Sequence, residues 1–180
     1  MHQYFLETGL GWAAIGGIMC AMFGGIGSAN GIRIAASEAA GAIAEKPELF
    51  GRMLILAALP GTQGFYAFIM MFWTLMRCGI ITGTKVAAVS PLVGFAMMFI
   101  GIGAGMVQWR SAIRQGEVSA ASINLTAKRP EEGGHAILFP VLVETYAVLA
   151  LLAAFLMIMW LTPTGGMQYQ PVESIFKAVK

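Results

Sequence analysis

The sequence predicts an all-α integral membrane protein of four transmembrane helices, arranged as two tandem duplicated hairpins. Three observations predict it. Hydrophobic residues make up 58% of the 180 residues and charged residues only 11%, with a mean hydropathy of +0.75; a soluble domain carries about 25% charged residues. Four apolar runs are each long enough to cross a bilayer, which takes roughly 20 residues. The two halves of the chain also repeat one another.

The first run extends from about Gly9 to Ala44, after an N-terminus, MHQYFLETGL, that has no basic region and reads as the lead into a retained helix rather than a signal peptide. The second runs from about Leu49 to Cys78, the third from about Val86 to Ala127, and the fourth from about Ala136 to Leu161. Short charged linkers, Glu45-Lys46-Pro47-Glu48 and Lys128-Arg129-Pro130-Glu131-Glu132, close each pair. The expected organisation is a first hairpin over 1–78, a connection over 79–91, a second hairpin over 92–161 and a tail over 162–180 that leaves the membrane. Lys46, Arg52, Lys128 and Arg129 favour cytoplasmic linkers by a small margin over Arg77, Lys85, Lys177 and Lys180.

The repeat is read from matching segments. Lys46-Pro47-Glu48 returns as Arg129-Pro130-Glu131 at an offset of 83, which pairs Leu59 with Leu142, Gly61 with Glu144 and Thr62 with Thr145. Upstream, Ala35-Ala36-Ser37 matches Ala120-Ala121-Ser122 at an offset of 85, pairing Asn30 with Gln115. The first and third runs are rich in glycine: Gly17, Gly24 and Gly31 recur every seven residues, and Gly27/Gly31 and Gly101/Gly105 are small-xxx-small pairs. Glycine lets helix backbones approach closely in lipid. The second and fourth runs carry the bulk, Phe65 to Trp73 and Phe155 to Trp160. The expectation is that the glycine helices form a crowded concave side and that the bulky ones face lipid.

Glu144 is the one charged residue between Ala136 and Trp160. A carboxylate at membrane depth costs at least about 2.5–3.5 kcal/mol on insertion scales. It needs a bound proton, a bound cation or a fixed partner. Counting from the linker tips at 1.5 Å per residue puts Asn30, Gln63, Gln115 and Glu144 at one level, roughly 20–25 Å in. The inventory at that level suits a hard cation such as sodium, which takes several oxygens in a dehydrated shell. Glu144 offers charge, Gln63 and Gln115 amide oxygens and Thr62 a hydroxyl. Pro60-Gly61 loosens the ladder of the second helix, which frees a carbonyl such as that of Leu59. Tyr66 is placed to donate a hydrogen bond to Glu144. The bland alternative is a protonated Glu144 that joins two helices, with the threonines bonded to their own helices.

Four segments, LPGTQGFY (Leu59–Tyr66), IRQGEVSAAS (Ile113–Ser122), AKRPEE (Ala127–Glu132) and VETYAVL (Val143–Leu149), resemble the duplicated four-helix proteolipid, the K or c subunit, of bacterial V-type (A/V-type) rotary ATPases. The resemblance covers about Gly25 to Trp160. It implies a homo-oligomeric ring in the cell membrane that turns against a stator subunit with an essential arginine, with central-stalk subunits at the cytoplasmic linkers. The chain is then no enzyme on its own. It implies that Leu59, Thr62, Gln63, Gln115 and Glu144 hold Na+ and that Tyr66 bonds the glutamate; a ring coupled to H+ only is the alternative within the family.

Other classes fit less well. No basic patch is interleaved with aromatics, so nucleic acid is not an expected partner. Thr82-Gly83-Thr84-Lys85 lacks the spacing of a phosphate loop. Cys20 and Cys78 read as packing residues, and His2 and His135 as isolated and solvated. A channel or small transporter is disfavoured by parallel rather than inverted repeats; a structural proteolipid would not need Glu144. Arg110, Arg114 and Glu117 form one stripe near membrane depth, expected to face the ring's central opening and to stay clear of Glu144. Arg33 and Glu38 are expected to form a solvated pair.

Overall fold

The computed structural model describes residues 8–81, 85–162 and 169–171. Residues 82–84, weighed above against a phosphate loop, most of the tail and His2 therefore lie outside the described residues. The first span is one helix, α1 (Gly9–Glu45). The second is broken. A 3-10 turn at Pro47–Leu49 leads into α2 (Phe50–Ala58), a second 3-10 turn covers Leu59–Gly61, and α3 (Thr62–Arg77) completes it. The third is α4 (Pro91–Lys128). The fourth follows a 3-10 turn at Pro130–Glu132 and consists of α5 (Gly133–Ala136) and α6 (Leu138–Leu161). All four spans are long and apolar enough to cross a membrane, as expected of a multi-pass membrane protein.

The third helix starts later than the run of apolar residues indicates. Ser90 caps it, its hydroxyl accepting from the Val93 N–H at 3.4 Å, and Pro91 takes the first position, where its missing N–H costs nothing. Ahead of it, β1 (Lys85–Ala87) pairs antiparallel with β2 (Tyr169–Pro171), in register Val86 to Gln170. This small ribbon ties the tail to the connection between hairpins and is the one departure from an all-helical chain among the described residues.

The repeat is visible in the backbone. Lys46 and Arg129 end their helices with nearly identical angles, φ −136°, ψ 77° and φ −135°, ψ 84°. Their N–H groups bond to Ala42 and Leu125, which are themselves 83 residues apart. Each is followed by a proline-led 3-10 turn. The linkers are stitched together, Lys46 donating to the Ala127 carbonyl and Arg52 to that of Pro130.

Glycine sorts the helix contacts along two lines. One joins α1 to α4: a methyl on Gly94 would sit 2.0 Å from the Gly9 carbonyl oxygen, and one on Gly116 2.4 Å from that of Gly31. The other joins α1 to α3, with Gly24 against Ala67 and Gly17 against Met71. Phe65, Phe68, Phe72 and Trp160 are exposed on the outside, while Met70 turns inward and is buried. Two apolar clusters fill the interior. One includes Leu10, Cys20, Met70, Met97 and Ile158, and the other Ala35, Met53, Leu56 and Ile123 near the linkers. Both cysteines are free and buried. Between the clusters lies a layer of buried polar side chains: Ser28, Gln63, Gln108, Ser111 and Gln115.

Candidate functional site

The break in the second span positions its part of this layer. Pro60 supplies no N–H, and the turn Leu59–Gly61 tightens to i→i+3 pairing. The Leu59 carbonyl then accepts from both the Thr62 N–H and the Thr62 hydroxyl, the latter at 3.0 Å. The same hydroxyl lies 3.3 Å from Gln63 Oε1. Gln63 is fully buried, and its Nε2 donates to Gln115 Oε1. Gln115, also fully buried, donates from Nε2 to the Pro140 carbonyl at 3.0 Å and to Glu144 Oε2 at 3.3 Å. Tyr66 donates to the other carboxylate oxygen, Oε1, at 2.6 Å. Glu144 is only partly buried, at the edge of the layer.

Leu59, Thr62, Gln63, Tyr66, Gln115 and Glu144 are thus brought into one connected network from the second, third and fourth spans. The carboxylate receives two donors, which hold it in place without neutralising its charge. Around it the network presents a hydroxyl, two amide oxygens and a carbonyl oxygen, a donor set suited to a hard cation. No group of three or more His, Cys, Asp or Glu side chains occurs among the described residues.

Other residues fall elsewhere. Asn30 donates to the Ile26 carbonyl of its own helix at 2.9 Å and stands outside the network. Its place is taken by Ser28, whose Oγ accepts from the Gly64 N–H at 2.7 Å and donates to the Gly61 carbonyl at 3.4 Å, bracing the break from α1. Ser28 lies four residues after Gly24 and three before Gly31, on the glycine face, which is the signal that identifies it. Ser111 joins Gln63 Nε2 at 3.5 Å to the Val143 carbonyl at 3.4 Å. Gln108 binds α6 at the Ala147 carbonyl at 2.9 Å. Thr145 is exposed and bonds to Leu142 of its own helix, as the bland alternative has it.

The arginine stripe is separate from the acid. Arg114 pairs with Glu117 at 2.8 Å, and the other ion pair among the described residues is Glu132 with His135. Arg110 and Arg114 line a groove between α4 and α6 together with Ser111, Val143 and Tyr146. His135 is therefore not isolated, and Arg33 and Glu38 are not among the ion pairs of the described residues.

Comparison with known proteins matches this architecture. The family model for the ATP synthase C subunit matches the chain twice, over residues 15–74 and 92–157. The V-type sodium ATPase subunit K of Enterococcus hirae is 35% identical over 165 residues, which is 88% of this chain and 99% of the relative. The A-type ATP synthase subunit K of Methanocaldococcus jannaschii is 34% identical over 160 residues, 87% of this chain and 67% of the relative. Twofold matching, four spanning helices and a carboxylate held in the second repeat alone lead to one conclusion: the chain belongs to the ATP synthase C subunit family, with two copies of the family's unit in one polypeptide.

Proposed function

We infer that this chain is the ion-carrying subunit of a membrane rotor ring in a V-type rotary ATPase, and that Glu144 binds Na+ reversibly within the membrane. The observation that carries the reading is the convergence of Glu144, Gln115, Gln63, Thr62 and the Leu59 carbonyl on one hydrogen-bonded network, with Tyr66 steadying the carboxylate. The name of the Enterococcus hirae relative, a sodium ATPase subunit, supports the choice of ion.

In this reading, Na+ takes the oxygens that otherwise pair with the network's own donors, and the occupied site is neutral. A neutral site can pass lipid, whereas a bare carboxylate cannot. An arginine on the stator compensates Glu144 when the ion leaves, and identical subunits bring the next site forward. Central-stalk subunits meet the linkers around Lys46 and Arg129 and transmit rotation to ATP hydrolysis or synthesis.

The test is labelling of Glu144 by a carboxyl-reactive carbodiimide in the purified assembly, across a Na+ titration at fixed pH. Protection by Na+ is the expected result. Labelling that follows pH and ignores Na+ overturns the sodium assignment and leaves a ring coupled to H+. The same assay reads the tyrosine. A hydrogen bond to a charged group contributes about 1.5–3 kcal/mol. Tyr66→Phe is therefore expected to raise the Na+ concentration for half protection by about 10-fold or more.

A further inference from the structure

The second half of the broken span is capped from another helix. The break at Pro60 makes α3 start inside the polar layer, and the first N–H groups of a helix have no partner within it. A side-chain oxygen on the N-cap residue usually meets them. Here that residue is Gly61, which has no side chain, and its helical angles, φ −77° and ψ −24°, carry the 3-10 turn straight into α3. Thr62 does not fill the role, because its hydroxyl turns back to the Leu59 carbonyl at 3.0 Å. The cap comes from α1. Ser28 Oγ accepts from the N–H of Gly64, the third residue of α3, at 2.7 Å and donates to the Gly61 carbonyl at 3.4 Å.

We propose that Ser28 is a positioning residue for the Na+ site: its hydroxyl clamps Thr62 and Gln63 between Gly61 and Gly64, and so sets the affinity for an ion that it does not touch. The proposal rests on the Na+ reading above. Leu59, Thr62 and Gln63 offer three of the oxygens in that reading, and all three lie where Pro60 interrupts the helix ladder. Oxygens on an interrupted helix need an outside hold. A cation that meets oxygens already held in place does not have to order them on binding.

The packing around Ser28 suits this contact. A methyl on Gly64 would lie 3.1 Å from Ser28 Oγ and 3.2 Å from its Cβ, so the close approach depends on glycine at position 64. Ser28 itself is fixed from both sides along α1. A methyl on Gly27 would lie 2.5 Å from the Trp109 Cα, and one on Gly31 2.3 Å from the Ala112 carbonyl oxygen and 2.7 Å from Pro60 Cβ. Trp109 and Ala112 belong to α4, which carries Gln115 three residues further on. At Ser28, α1 therefore ties the broken span to the helix that holds the other amide of the network. Ser28 is buried, so loss of its hydroxyl leaves the Gly64 N–H without this partner in apolar surroundings.

Carbodiimide labelling of Glu144 across a Na+ titration at fixed pH, in the purified assembly carrying Ser28→Ala, tests the clamp. Loss of a helix cap shifts an equilibrium by about fivefold, and the Na+ concentration for half protection is expected to rise by that factor. The KM for Na+ in ATP-driven transport is expected to rise with it, while the maximal rate changes by less than about twofold, as when binding rather than turnover is lost. Gly64→Ala keeps the hydroxyl but crowds it, and is expected to move half protection in the same direction. Ser37→Ala is the control: its hydroxyl donates only to the Arg33 carbonyl of its own helix, and half protection is expected to stay unchanged. Unchanged half protection in Ser28→Ala overturns the clamp and leaves the Na+ site standing. A rise shared by Ser37→Ala, or one that comes with loss of the native mass, also overturns it, because the serine would then act on the fold rather than on the ion. Labelling that ignores Na+ in the unsubstituted assembly overturns the Na+ site and the clamp together.

Discussion

An assembly carrying Glu144→Gln is expected to form normally, to take up no carbodiimide at position 144 and to lose ATP-coupled ion transport down to the assay background. The substitution keeps the shape of the side chain and an oxygen that can accept from Tyr66 Oη, now 2.6 Å from the carboxylate. It removes the negative charge, which is the one property the rest of the network does not duplicate. In the proposed site Gln63, Gln115, Thr62 and the Leu59 carbonyl would offer neutral oxygens only, and neutral oxygens alone do not offset the cost of holding a cation in a medium of low dielectric. Native mass, carbodiimide incorporation and transport in vesicles are the three measurements. Normal mass with lost transport is the expected combination. Loss of the assembly itself would make Glu144 a joint between helices. Transport that survives the change would move the ion pathway away from this residue altogether.

Much of this site could be read from sequence because depth is a matter of counting. Rise per residue varies little along a helix, even through the short 3-10 turns of the second and fourth spans, so Gln63, Gln115 and Glu144 fall near one level. The linkers repeat in sequence and again in backbone angle at Lys46 and Arg129. Rotation about the helix axis is harder. Asn30 has the correct depth but points along its own helix, while Ser28, two residues earlier and so about 200° away, meets the broken second span. Thr145 follows Glu144 directly and for the same reason faces outward. The face that a residue presents is decided by contacts with another helix, and here the glycine line through Gly24 and Gly31 decides it. The ribbon between Lys85–Ala87 and Tyr169–Pro171 is less legible still. Its strands are too short for a periodic signal, and their pairing joins positions far apart in the chain.

That glycine packing sets the second large effect. Gly101→Val is expected to force α1 and α4 apart and to lower the thermal midpoint of the purified assembly by several degrees. A Cβ at Gly101 would lie 2.2 Å from the Gly16 carbonyl oxygen and 2.5 Å from its carbonyl carbon. Both atoms are backbone, so no rotamer change relieves the clash and one helix must move. Overpacking of this kind costs about 1–3 kcal/mol, and more where the backbone must shift. The two helices touch in the same way at Gly9 with Gly94 and at Gly31 with Gly116, so a displacement at the middle contact loosens the line on both sides. Gly31 also lies against Pro60, and through it the displacement reaches the turn that holds Leu59 and Thr62. Weakened Na+ protection of Glu144 should therefore accompany the lower midpoint. Gly41→Ala is the control. No atom lies within 4 Å of its added methyl, and alanine in a helix is favoured over glycine by about 0.5–1 kcal/mol. It is expected to leave the midpoint unchanged or slightly raised. Equal losses from Gly101→Val and Gly41→Ala would show that glycine acts through backbone conformation rather than through close approach of α1 and α4.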